Sequence, residues 1–184
     1  MRTTTLLVPI ALCGLLACQP AGQQKVTPSP VERGKYLVNA MSCNDCHTPL
    51  KLGERGPEPD MARLLSGHPK QVQISRIPQI PPAPWGWVGS LTNTAFAGSW
   101  GVSFATNLTP DEETGIGALS DSDFILAMRN GQHLGTGQPI LPPMPWSGVG
   151  ALTDDDLKAM FAYLKSVPPI KNHVPSALPP VPAH

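Results

Sequence analysis

The chain has 184 residues, 13 basic and 13 acidic, so it holds one domain or at most one and a half, with length for a sizeable core. A large multidomain enzyme is excluded, and a net charge of zero leaves no electrostatic footprint for nucleic acid or an anionic membrane surface. Only 14% of residues are charged and 23 are proline, which implies much irregular backbone, while an apolar share of 41% excludes a wholly disordered chain.

Met1 and Arg2 make a short positive start, and Leu6 to Ala17 form an apolar stretch broken only by Pro9 and Gly14. It is shorter than the roughly 20 residues of a spanning helix, and it reads as a secretory signal over residues 1–17. Its end, Leu15-Leu16-Ala17-Cys18, resembles the bacterial lipoprotein box, in which cleavage precedes the cysteine and that cysteine is acylated. The resemblance implies lipidation at Cys18 and attachment to the periplasmic side of a bacterial membrane. Gln19 in the place of Asp points by the same resemblance to the outer membrane. The alternative is an ordinary signal with a coincidental cysteine. Residues 18–30, polar and without periodicity, read as a flexible tether.

The folded part is expected from about Val31, where Gly34, Leu37, Val38 and Met41 fall at helical spacing and predict a first helix. It runs into Cys43-Asn44-Asp45-Cys46-His47, the C-x-x-C-H pattern of c-type haem attachment. On one helical turn two thiols share a face and can each form a thioether with a haem vinyl group, and the following histidine turns its ring to the iron. A thiol redox pair and half a zinc site are the competing readings. The first expects a βαβ context and the second another ligand pair, and the sequence displays neither.

From Leu50 to Trp100 there is little helical period and no alternating strand of any length. With Pro78, Pro81, Pro82, Pro84, Trp85 and Trp87 the segment reads as a long, partly ordered loop wrapping the core. A partner-docking surface is the alternative, because exposed Trp is enriched at interfaces. Ser120 with Asp123 then opens a middle helix that carries Phe124, Ile125 and Met128 inward and ends at Asn130-Gly131. Ile140-Leu141-Pro142-Pro143-Met144-Pro145-Trp146 cannot be helical, and its prolines pre-set the backbone around one thioether. Thr153 with Asp156 opens a last helix with an apolar stripe of Leu157, Met160, Phe161 and Leu164, stopped by Pro168. Beyond it the Pro-rich tail is expected as an extended strap or a disordered strand.

The residue opposite His47 decides between a carrier and a catalyst. Met41, Met128 and Met160 lie on apolar helical faces and read as core, and Met61 sits in a polar loop. His68 and His133 could give bis-histidine ligation, but each sits among Gly and polar residues, as in exposed loops. Met144 is therefore the expected second ligand, with a buried Pro-Met plug as its alternative. Methionine opposite histidine closes both axial positions and raises the potential.

With these elements the chain resembles a class I c-type cytochrome with a single haem. The run Asn107-Leu108-Thr109-Pro110-Asp111 through Gly117, the Pro143-Met144-Pro145 loop and the stretch from Leu152 to Leu164 resemble the cytochrome domains that accompany membrane-bound alcohol, aldehyde and gluconate dehydrogenases. The resemblance covers roughly residues 31–173, leaving a tail at 174–184, and the Pro/Trp-rich insertion at about 57–100 is longer than the family plan. It implies an all-α cytochrome c fold of three to four short helices around one covalent haem c, with long Pro-rich loops. It also implies His47 and Met144 as iron ligands, a contact of Gly34 with Tyr163 between the terminal helices, and support of His47 by the Pro49 carbonyl. The expected function is a membrane-anchored one-electron carrier, not an enzyme, working between redox partner proteins such as a dehydrogenase or a respiratory-chain component. The alternatives are a haem enzyme or gas or redox sensor with a displaceable sixth ligand, and a haem-free binding lipoprotein with a Cys43–Cys46 disulfide.

Overall fold

The computed structural model describes residues 27–78, 84, 86–133 and 137–180. The signal segment and Cys18 lie outside the described residues, as do most of the tether, Pro81, Pro82, Trp85 and the last four positions.

Helix α1 (Pro30–Ala40) starts where its residues demand it. The Ser29 hydroxyl accepts the Glu32 N–H, the Glu32 carboxylate returns a bond to the Ser29 N–H at 2.8 Å, and Pro30 occupies the first turn, where no N–H is needed. Helix α5 (Asp154–Ser166) starts on Thr153, whose side chain accepts the Asp156 N–H, with three aspartates at the positive end of the helix dipole. Leu37 and Val38 of α1 are buried with Leu157, Met160, Phe161 and Leu164 of α5. Burying each such side chain contributes on the order of 1.5–3 kcal/mol. The two helices meet backbone to backbone at Gly34, where a Cβ would lie 1.8 Å from the Ala159 carbonyl oxygen and 2.9 Å from Tyr163 Cβ. The contact implied by the resemblance is thus present, and Arg33 Nε to Asp156 at 2.9 Å closes its rim. Helix α3 (Asp121–Asn130), capped by Ser120 and Asp123, adds Phe124, Ala127 and Met128 to the same core, with the Phe124 and Phe161 rings 5.6 Å apart. Two one-turn helices complete the set: α2 (Cys43–His47), and α4 (Trp146–Gly150) directly after the Met144 loop. Among the described residues no helix is long and apolar enough to cross a membrane.

The expectation of an all-α fold is overturned. Strands β1 (Leu50–Gly53) and β2 (Gly56–Pro59) form an antiparallel hairpin, and β3 (Trp87–Gly89), β4 (Ala95–Gly98) and β5 (Gly101–Phe104) form a second antiparallel sheet in the order β3-β4-β5. The fold is mixed α/β. The region read as a loop wrapping the core is a subdomain with its own small core: Ala95, Ala97 and Val102 are buried against Ile74, Ile77, Phe104 and Leu178. The strands have three or four residues each, too short to display alternation. The β4–β5 pair is sheltered on both faces, so β4 reads as a short apolar run and β5 as one broken by Ser103. The turn between them is Ser99-Trp100, with Gly98 paired to Gly101, and it lacks the Asn-Gly or Gly-X pair that marks a two-residue hairpin in sequence.

The tail does form a strap. Leu178 exchanges both backbone hydrogen bonds with Val102 at 2.9 Å, extending the sheet at β5. Upstream, buried Asn172 donates to the carbonyls of Ser66 and His68 at 2.7 and 2.9 Å and accepts the Lys70 N–H at 3.1 Å. The chain end thereby fixes the segment that follows the C-x-x-C-H helix and β1–β2.

Candidate functional site

Helix α2 places Cys43 and Cys46 one turn apart, both half-buried and unbridged. Burial pushes the Cys43 thiol up to about 11, its own backbone hydrogen bond opposing, and burial with the neighbouring Asp45 carboxylate raises Cys46. Both are protonated thiols at neutral pH, the opposite of the lowered thiolates of a Cys-x-x-Cys redox pair. Among the described residues no three His, Cys, Asp or Glu side chains converge where they could hold a metal ion.

His47 is 6% exposed, and its Nδ1 lies 2.8 Å from the Thr106 carbonyl oxygen. A carbonyl only accepts, so Nδ1 carries the proton and Nε2 keeps its lone pair, the tautomer that a metal ligand requires. Burial lowers the ring's pKa while the Thr106 bond works against that shift, and the imidazole is neutral at pH 7. The expectation that Pro49 supports His47 is corrected here: the Pro49 carbonyl accepts the Asp60 N–H at 2.9 Å. Thr106 belongs to no motif and had no signal in the sequence. What brings it to the ring is Gly67, at φ 75°, where a Cβ would lie 2.4 Å from the Ala105 oxygen and 2.6 Å from the Thr106 carbonyl carbon. Only a glycine lets the segments approach this closely. The Gly67 N–H also donates to the His47 carbonyl at 2.8 Å, locking the histidine's own backbone.

Met144 is half-buried and packs against the main apolar core, and Cys43 packs against the same cluster. Met128 and Met160 lie inside that core, Met41 borders it, and Met61 is 63% exposed. His133 is half-buried, its ring pKa lowered by burial.

His68 departs from its reading as an exposed loop residue, for it is fully buried. Its Nε2 lies 2.7 Å from the Val72 carbonyl, so Nε2 carries the proton and Nδ1 accepts the Thr94 hydroxyl at 2.9 Å. Hydroxyls of Thr92 and Ser90 continue the chain at 2.8 and 3.0 Å. With both ring nitrogens engaged, His68 is a structural histidine with no lone pair left free. Burial pushes it below the ordinary 6.5, against the pull of the Val72 carbonyl. The folded chain therefore holds it neutral while the unfolded chain takes up a proton near pH 6.5. Its contribution to stability is complete above that pH and is lost as the pH falls through the lower, folded value. Denaturant unfolding at about pH 7 and about pH 5 is expected to show a smaller acid loss in His68→Gln than in wild type, His47 and His133 being common to both. Equal losses would remove His68 from the account.

No family model matches the chain. Similar proteins are nevertheless found. The chain is 28% identical over 150 residues to the gluconate 2-dehydrogenase cytochrome c subunit of Pantoea cypripedii, a match of 82% of this chain and 26% of the relative. It is 28% identical over 155 residues to the cytochrome c subunit of the quinone-dependent alcohol dehydrogenase of Gluconobacter oxydans, covering 83% of this chain and 25% of that one. The chain is related to cytochrome c subunits of dehydrogenases. It is also 38% identical over 157 residues to a nicotinate dehydrogenase subunit of Pseudomonas putida, covering 85% of this chain and 10% of that protein. The chain thus spans about a quarter of the two cytochrome subunits and a tenth of the third relative.

Proposed function

We propose that the chain is a one-electron carrier holding a single covalent haem c, with His47 and Met144 as the axial ligands. The observation that carries this reading is the hydrogen bond from His47 Nδ1 to the Thr106 carbonyl, which leaves Nε2 as a neutral donor beside two free thiols on one helical turn. The donor set fits the group: two protonated thiols for two thioethers, one imidazole of fixed tautomer, and a thioether sulfur on the same apolar core as Cys43. When bound, such a haem supplies an iron that alternates between ferric and ferrous and so accepts or releases one electron.

The chain's residues supply everything else. Cys43 and Cys46 tie the group covalently, His47 is oriented by Thr106 and Gly67, and the apolar core beside Met144 keeps water from the ligand face. No side chain is asked to act as acid, base or nucleophile. The names of the relatives support a dehydrogenase as redox partner, and the lipoprotein-like Cys18 supports anchoring on the periplasmic side of a bacterial membrane, by its Gln19 the outer one.

The test is the visible spectrum, oxidised and reduced, of protein exported by a host able to attach haem c. Wild type is expected to be low-spin with a sulfur-to-iron band, and Met144→Ala is expected to lose that band and gain a high-spin fraction. A wild type without the band, or one that binds carbon monoxide readily, would transfer the assignment to a haem enzyme or sensor.

A further inference from the structure

The Met144 loop is poor in its own fastenings, since Pro142, Pro143 and Pro145 have no N–H to donate. Among the described residues, the Ile140 N–H reaches the Gly131 carbonyl before the loop, and the Pro145 carbonyl accepts from Gly148 and Val149 after it. Between these ends the loop is held from outside. The Ser103 hydroxyl on β5 donates to the Pro142 carbonyl at 2.5 Å, two residues before Met144. Ser103 is 9% exposed and its oxygen accepts the Trp100 Nε1–H at 3.3 Å, while the Phe96 carbonyl at 3.4 Å is a more distant acceptor for the same proton. The same sheet also reaches the C-x-x-C-H side. Asn93 Nδ2 donates to the Asp45 carbonyl of α2 at 2.7 Å, and the Ala105 carbonyl, just after β5, accepts the His68 N–H at 2.9 Å.

We propose that the β3–β5 insertion is a bracket joining the two segments that carry the axial ligands, and that Ser103 is a positioning residue that holds Met144 in place through the Pro142 carbonyl. The inference rests on the His47/Met144 reading. A loop of prolines cannot replace the lost hydroxyl with a donor of its own, so without Ser103 the loop opens more easily and the sulfur competes less well with an external ligand.

The experiment is a titration of the ferric, haem-loaded full-length protein with imidazole, following the sulfur-to-iron band. Ser103→Ala is expected to keep the band in the absence of imidazole but to bind imidazole about five- to tenfold more tightly, as one lost hydrogen bond predicts. Ser103→Thr, which restores the hydroxyl, is expected to return toward wild type. Trp100→Phe, which removes the other bond of Ser103 and leaves the Pro142 carbonyl served, is expected to bind imidazole as wild type does. Should Ser103→Ala fail to accumulate, the pair Ser103→Thr and Ser103→Val, alike in shape and different in the hydroxyl, makes the same comparison. Unchanged imidazole affinity in Ser103→Ala or Ser103→Val overturns the bracket while leaving Met144 as ligand, and so does an equal gain in Trp100→Phe, which would signal general loosening of the sheet. A wild type without the band overturns the ligand reading and the bracket with it.

Discussion

Protein exported with both Cys43 and Cys46 changed to alanine is expected to carry no haem after denaturation, where wild type carries one per chain. The effect is all-or-none because it concerns covalent bonds. Thioethers survive unfolding, whereas an iron–imidazole bond to His47 and the burial of the macrocycle disappear with the fold. Each single variant retains one sulfur on the same turn of α2 and is expected to keep covalent haem at lower yield. Haem-specific staining of a denaturing gel, beside total protein, reads the result. Haem that persists on the double variant, or its absence from wild type, would return the thiol pair to the disulfide reading.

The second large effect is expected at the crossing of the terminal helices. Gly34→Ala inserts a Cβ at 1.8 Å from the Ala159 carbonyl oxygen, and the obstacle is backbone, which no rotamer change can move aside. Overpacking costs about 1–3 kcal/mol and sometimes more, whereas alanine regains only ~1 kcal/mol of helix propensity over glycine. The overlap dominates. A net loss of about 1–2 kcal/mol is expected, which for a chain of this size lowers the melting temperature by roughly 2–8 °C. Lys35→Ala, on the exposed face of the same helix, serves as the control. A Gly34→Ala melt within about a degree of wild type would mean that the helices part without cost, and the α1–α5 contact would cease to be the centre of the fold.

The helices and the strands differ in how far they were legible. Apolar spacing announced α1, and capping residues with apolar spacing announced α3 and α5, because helix starts and stops are written in local chemistry: Ser120 with Asp123, Thr153 before three aspartates. The C-x-x-C-H run and the proline-framed Met144 are local patterns of the same kind. The strands were not legible, since a three- or four-residue strand has no local pattern of its own and exists only when a partner strand accepts its backbone. His68 was misplaced for a related cause. Its neighbours in sequence are polar, and its burial comes from Thr94, Phe104 and the Asn172 strap, distant in the chain.

The C-x-x-C-H motif, the helices, the candidate iron ligands and the leader-like segment ending at Cys18 are each marked by residues close together in the chain, so the order of amino acids sufficed to propose them. Folding in three dimensions was needed to choose the carbonyl that orients His47, to make a sheet of the Pro/Trp-rich insertion and to bring Ser103 to the Met144 loop. Those outcomes depend on hydrogen bonds across 59 and 39 residues of chain. Their acceptors are backbone carbonyls, which every residue type carries alike and no sequence pattern can single out.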